Sequence, residues 1–340
     1  MTKGRAVGRF LALALLAVAL RARGADERLK VAMPGVPPVF GSLVTYVARD
    51  EGFFKKYGVD VEVRTFDSGA AAAQAVVAGD IDISLSPTPV VVRMISNAGV
   101  DLVAIYGMQN PDWLLGSTDA ALGKCKDVDG QSVGVDSIGG ARAAALEQLI
   151  RPCGLKLDRV KLVALSTNVG AAMVAGQLKF GVLHLDDVPM VEEQLGRPIT
   201  VVQSFRDINQ RSHYLSLVTT RARLGQKRDA YVRMLAAIID ATRFTLDPAN
   251  LDRVAKIAAV TGKSEKIARD ALPRFAKLEM WPVGQDGLAR ENLDAVVAVE
   301  KQLGSIKPGK TPVSYDKLTD RTVWKDAEAL AKKHAKTATR

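Results

Sequence analysis

Four loop-to-helix turns hold the residues best suited to grip a small molecule: PGVPPVFG (34–41), DSGAA (67–71), SPTP (86–89) and DSIGGAR (136–142). In each, small or hydroxyl-bearing residues precede a helix whose first backbone N–H groups have no internal partner and whose field is positive there. Such an end attracts anions. Pro38 and Phe40 shape the first turn, and Ser68, Gly69 and Ala70 can form an anion nest in the second. Ser86 and Thr88 serve the third, with Thr88 standing before Pro89 as a helix start signal. In the fourth, Ser137, Gly139 and Gly140 lead to Arg142, which adds positive charge where the field is already positive. An anion held there would gain a charge-assisted hydrogen bond. The plainer roles are helix capping for the hydroxyls, a turn for Gly139-Gly140 and, for Arg142, a surface pair with Glu147 or a nearby Asp.

Further polar groups occur where strands end. HLDDVP (184–189) closes the apolar run FGVL, so His184 can donate to a carboxylate, stack on a ring or simply be a satisfied core histidine, with Asp186 or Asp187 capping the next helix. Trp113 follows Gln109 and Asn110, where it can wall a pocket or plug a hinge. Ser212-His213-Tyr214 offers polar groups at a second crossover. Catalytic signatures are missing: there is no G-x-S-x-G, no G-x-x-x-x-G-K-[ST] and no dinucleotide fingerprint after the first strand. Two cysteines and three scattered histidines lack metal-ligand spacing, so neither metal nor cofactor is expected.

The elements that must position these turns alternate. LKVAM, VDVEVRTF, IDISLS and DLVAIYG read as strands with helices between them, including one over 43–54. The pattern restarts with strands at 114–118, 132–135, 160–165, 180–185 and 199–205 and helices at 141–150, 169–176 and 187–195. Strand and helix at this spacing predict parallel sheets covered on both faces. HYLSLVTTR (213–221) reads as a strand returning to the first sheet, and residues 227–303 are helical in pattern, with Pro273 expected to kink or shorten one helix. The fold class is therefore α/β, with two lobes, a cleft and two crossovers. The first lobe spans 25–111 and 209–331, and the second spans 112–208. Ligands of open parallel sheets sit beyond the carboxyl ends of the strands, in the cleft.

Both chain ends are set apart. Lys3, Arg5 and Arg9 precede the apolar run 10–20, too short for a bilayer span but suited to a signal peptide ending near residue 24 or 25. The formal net charge is +10, and the leader and the basic tail 332–340 together hold nine basic residues and no acid. The remainder is almost neutral, which gives no support for nucleic-acid binding. Cys125 and Cys153, 28 positions apart, are compatible with a disulfide in an exported protein and equally with two buried thiols.

The run ARDEGFFKKYGVDVEVRTFDSGAAAAQAVVAGDIDISLSPT resembles the NMT1/THI5-like periplasmic solute-binding proteins, which include sulfonate, taurine and nitrate receptors of ABC importers. The matching positions are Ala48, Gly52–Phe54, Gly58–Val63, Gly69, Ala75–Gly79, Asp82, Val128–Val135 and Ile138–Gly140, within a resemblance over roughly residues 29–220. It implies the type II periplasmic binding-protein fold and a soluble periplasmic monomer, with no lipobox, that serves an inner-membrane ABC permease. It also implies ligand contacts from Pro37 to Phe40, Ser68 to Ala70, Ser86 to Thr88 and Gly139 to Arg142. The chain departs from the family where an Asp-Ala pair is usual. Phe180-Gly181 stands there, so that part of the pocket is expected to be rebuilt around His184. The cysteine cluster of the fungal pyrimidine-synthase relatives is missing.

With the positive helix starts, this implies a small organic anion, a sulfonate or carboxylate, as solute. Two other readings stay open. A neutral heteroaromatic, such as a pyrimidine thiamine precursor, would be marked by Asp186 or Glu192 in the pocket in place of Arg142. A secreted enzyme would need a nucleophile and base within about 3 Å.

Overall fold

A computed structural model describes residues 28–109, 111–208 and 213–338. The leader with its cleavage site, Asn110 and Ser212 lie outside the described residues. Ten strands form two five-stranded sheets. The first contains β1 (Leu29–Pro34), β2 (Val61–Phe66), β3 (Ile83–Pro87), β4 (Leu102–Gln109) and β10 (Leu215–Thr220), in the order β2-β1-β3-β10-β4. The second contains β5 (Leu114–Ser117), β6 (Ser132–Val135), β7 (Lys161–Ala164), β8 (Phe180–Leu183) and β9 (Thr200–Ser204), in the order β7-β6-β8-β5-β9. The chain passes between lobes twice, from β4 to β5 and from β9 to β10.

The sheets are mixed, which corrects the expectation of parallel ones. β1 pairs parallel with β2 and β3, but β10 runs antiparallel to β3 and β4. β6 pairs parallel with β7 and β8, but β5 runs antiparallel to β8 and β9. The crossovers dictate this. Strands followed by cleft loops run toward the cleft, so a strand that has just arrived from the other lobe must run away from it.

Helices cover both faces of the first sheet. On one face lie α1 (Leu43–Asp50), α7 (Arg228–Leu246), α8 (Leu251–Ile257), α9 (Glu265–Lys277) and α11 (Thr322–Ala338), in a core that includes Leu43, Tyr231, Leu272 and Trp281. On the other lie α2 (Gly69–Ala78), α3 (Thr88–Ala98) and α10 (Arg290–Gln302), around Val76, Val92 and Leu293. The second sheet carries α4 (Ala141–Ile150) on one face and α5 (Val169–Val174) with α6 (Asp187–Leu195) on the other.

Several helix limits differ from expectation. The helix expected over 43–54 breaks at Gly52, whose φ of 76° fits glycine, and a separate turn covers Phe53–Lys56. Helix α9 continues through Pro273 to Lys277, because Ala271, Leu272 and Phe275 are buried there. Burial of that size offsets the roughly 3 kcal/mol a mid-helix proline costs. Residues 332–338 extend α11, which lies along α7. Cys125 and Cys153 form a disulfide, Cα atoms 6.0 Å apart, tying the turn before β6 to the turn after α4. Among the described residues no helix is long and apolar enough to cross a membrane.

Candidate functional site: a charge-balanced cleft between the lobes

The carboxyl ends of β1, β6 and β8 face a cavity lined by both lobes. The first lobe supplies Pro37 to Phe40 and, from the turn before α9, Thr261 to Lys263. The second supplies Arg142, Thr167, Asn168, His184, Asp186 and Asp187, with Ala171 and Met190 as apolar wall. Pro38, Phe40, Arg142 and His184, singled out from sequence, therefore meet in one place.

The anion expected at the start of α4 is the chain's own. Asp136 folds its carboxylate over the helix end and accepts hydrogen bonds from the backbone N–H of Ala141 and of Arg142, both at 3.0 Å. Gly140 makes this possible, since a Cβ there would lie 2.6 Å from both Asp136 oxygens. Ser137 and Gly139 remain exposed beside it. The Arg142 guanidinium is also engaged, which corrects its reading as a free or surface-paired cation. It is 4% exposed, donates to the Val182 carbonyl at 2.7 Å and pairs with Asp187 at 3.1 Å.

Asp187 is the hub of a buried ionic cluster. Its carboxylate accepts from the His184 backbone N–H at 3.0 Å and from Lys263 at 2.6 Å. Lys263 reaches from the other lobe and also pairs with Asp186 at 3.2 Å. Burial pushes the Asp187 carboxyl up, but Arg142 and Lys263 outweigh it and hold the group well below the usual carboxylate range. Asp186 has the weaker share of Lys263, and burial, reinforced by Asp187 beside it, pushes its carboxyl up. Lys263 is pulled down by burial, yet Asp186 and Asp187 raise it above its ordinary value. Neither aspartate caps α6 through its side chain in the expected way.

His184 lies over Trp113, ring centroids 3.7 Å apart, and its Nδ1 meets Asp112 at 2.8 Å. Tyr214 packs edge-on to Trp113 at 5.0 Å, and the Arg142 guanidinium lies 5.6 Å from the Trp113 ring. Asp112, His184 and Asp186 present ligand atoms within 4.8 Å of one another. They do not fit a metal ion, because the Lys263 ammonium already stands against Asp186 and Nδ1 of His184 is taken by Asp112.

The remaining sequence candidates do not line this cleft. Ser68 caps α2 by accepting from Ala71 N–H at 3.2 Å. Gly69 packs on Pro87, where a Cβ would collide with the ring, and Ala70 follows within the same helix turn. Ser86 donates to the Gly69 carbonyl at 3.0 Å. Thr88 lies inside α3 rather than capping it, and its hydroxyl pairs with Ser216 at 2.8 Å. His213 Nε2 meets the same Ser216 hydroxyl at 2.9 Å. Of the two acids named for the heteroaromatic reading, Asp186 lines the cleft, while Glu192 accepts from Ile199 N–H at 3.2 Å. Lys263, Asp112 and Asn168 carry no local sequence signal for a place at this site. Lys263 sits in a polar turn, TGKSEK, that nothing local distinguishes from solvent-facing lysines.

Two mixed α/β lobes, joined by two crossovers around a lined cleft, define the type II periplasmic solute-binding fold. The family model described as NMT1/THI5 like matches residues 40–250, and the chain belongs to that family. A Brucella abortus protein is 20% identical over 309 residues, covering 90% of this chain and 96% of its own. A solved structure from Bordetella bronchiseptica RB50 is similar with TM-score 0.72 and 20% identity, covering 89% of this chain and 98% of that one. The alkanesulfonate-binding protein of Xanthomonas axonopodis pv. citri bound to MOPS has TM-score 0.68 and 15% identity, covering 88% and 100%.

Proposed function

We propose that the protein is a periplasmic receptor that closes on a small solute in the Arg142–Asp187–Lys263 cleft and delivers it, as a monomer, to an inner-membrane ABC permease. The fold supports the receptor role, since a solute touched by Phe40 and Lys263 on one side and by Asn168 and Asp186 on the other favours the closed form. An enzymatic role has little to work with. Both cysteines are in the disulfide, and among the described residues no serine, threonine or cysteine is paired with a base in the cleft.

The solute we infer is an uncharged or cationic nitrogen compound, such as an aminated heteroaromatic ring, with an N–H donor directed at Asp186. One observation carries this: both cleft cations are already bound to Asp187, leaving Asp186 the least compensated acceptor. A sulfonate or carboxylate would have to take Arg142 from Asp187 and leave that carboxylate buried without it, which is costly. Phe40, Pro38 and Met190 provide apolar walls for the rest of the molecule.

Calorimetric titration of the mature protein with an aminopyrimidine, a small amine, an alkanesulfonate and a benzoate tests the assignment. The nitrogen bases are expected to bind, and Asp186→Asn to weaken them about tenfold or more, the weight of one charge-assisted hydrogen bond. Tight sulfonate or benzoate binding, indifferent to Asp186→Asn, contradicts it.

A further inference from the structure

Two ion pairs cross from one lobe to the other beside the cleft, and they differ in burial. Lys266 of α9 meets Glu193 of α6 at 2.9 Å, with side chains 65% and 45% exposed. A pair so open to water contributes little. Lys263, in the turn before α9, meets Asp187 at 2.6 Å and Asp186 at 3.2 Å. Its side chain is 12% exposed and both carboxylates are buried, so salt and solvent screen this contact far less.

Both ends of the buried contact are fixed within their own lobes. In the first lobe the Thr261 hydroxyl donates to the Ala258 carbonyl at 2.7 Å, and Ser264 Oγ accepts from the Ile267 N–H at 3.3 Å. Between these anchors Gly262, with a φ of 76°, packs against Pro37, where a Cβ would lie 2.9 Å from the ring. In the second lobe Asp187 is held by the Arg142 guanidinium and the His184 N–H. The flexible piece is the lysine stem that crosses the gap. Separating the lobes leaves every one of these anchoring contacts intact, yet it parts Lys263 from both carboxylates. Lys263 therefore interacts differently with the open and closed forms when no solute is present, and such a difference is what shifts a two-state equilibrium.

We propose that Lys263 is an interlobe positioning residue, a strap whose ammonium bridges to Asp186 and Asp187 and holds the empty receptor in its closed form. Solute then adds its contacts to a closure that the chain already favours. The strap acts whatever solute the cleft takes.

Small-angle X-ray scattering of the mature protein reads the lobe arrangement directly, after bound solute has been removed by unfolding and refolding with the disulfide intact. The solute-free wild type is expected to scatter as calculated for the lobe arrangement of this structure. Lys263→Met and Lys263→Gln are expected to shift the radius of gyration and the maximum dimension to larger values, beyond the measurement error. Lys266→Ala, which removes the exposed pair, should leave both unchanged. A residue that only stabilised the fold would lower the melting temperature without moving these dimensions. Each variant is checked for a cooperative melt, and the wild-type curve alone remains decisive if neither Lys263 variant folds. A solute-free wild type more extended than this structure overturns the proposal. So do Lys263 variants as compact as the wild type, or an equal expansion in Lys266→Ala. With no solute present, none of these outcomes touches the assignment made for the cleft.

Discussion

Asp187 and Asp186 are neighbours with opposite roles. Asp187 joins Arg142 to Lys263, so Asp187→Asn strands the buried Arg142 guanidinium, leaves Lys263 with Asp186 alone, and should cost about 3–5 kcal/mol in urea unfolding. Asp186→Asn removes the less compensated acid and should change stability much less while weakening solute binding. His213 adds a pH dependence. Burial holds it down to about 4, against an ordinary value of 6.5, so between those values the unfolded chain binds the proton and the native one does not. Stability is then fully present above the unfolded value and lost as pH falls from 6.5 toward 4, by up to about 3 kcal/mol. Urea melts at pH 7 and pH 4.5 should show this loss, and His213→Gln should reduce the difference. Arg142 and His184 were visible in the sequence as residues at strand and helix ends. Their partners were not, because Asp187 stands 45 positions and Lys263 121 positions beyond Arg142.

Helix α4 shows how far an element can be read from its own residues. Its limits follow from DSIGGAR and the apolar spacing after it, and the structure starts it at Ala141 and ends it at Ile150 as expected. The occupant of its N-terminus was also in the motif, since Asp136 lies five residues before Ala141 and reaches back over Gly140. A carboxylate before a glycine turn reads equally well as a solvated loop residue. Asp136→Ala should cost about 1–2 kcal/mol by removing both hydrogen bonds to the helix end, and Asp136→Asn less, measured by thermal melting. Strand direction was beyond sequence reading. Period-two alternation looks the same in parallel and antiparallel strands, and only the crossovers reverse β5 and β10.

At the scale of the whole molecule, the two lobes meet through groups far apart in the chain. Lys263 reaches Asp186 and Asp187, and Lys266 pairs with Glu193 at 2.9 Å, linking the turn before α9 and α9 itself to α6. The two-lobed design was legible because the strand–helix pattern restarts after β4, and the family resemblance pointed the same way. The cleft's charge balance was not legible, since the helices after β10 carry Lys263 back to it and no local pattern encodes that return. Every account of the solute rests on that balance. The most direct test is mass spectrometry of small molecules released by denaturing protein that was isolated without denaturant. The account predicts a neutral or cationic nitrogen-bearing compound in near-stoichiometric amount; a sulfonate, carboxylate or other organic anion would contradict it.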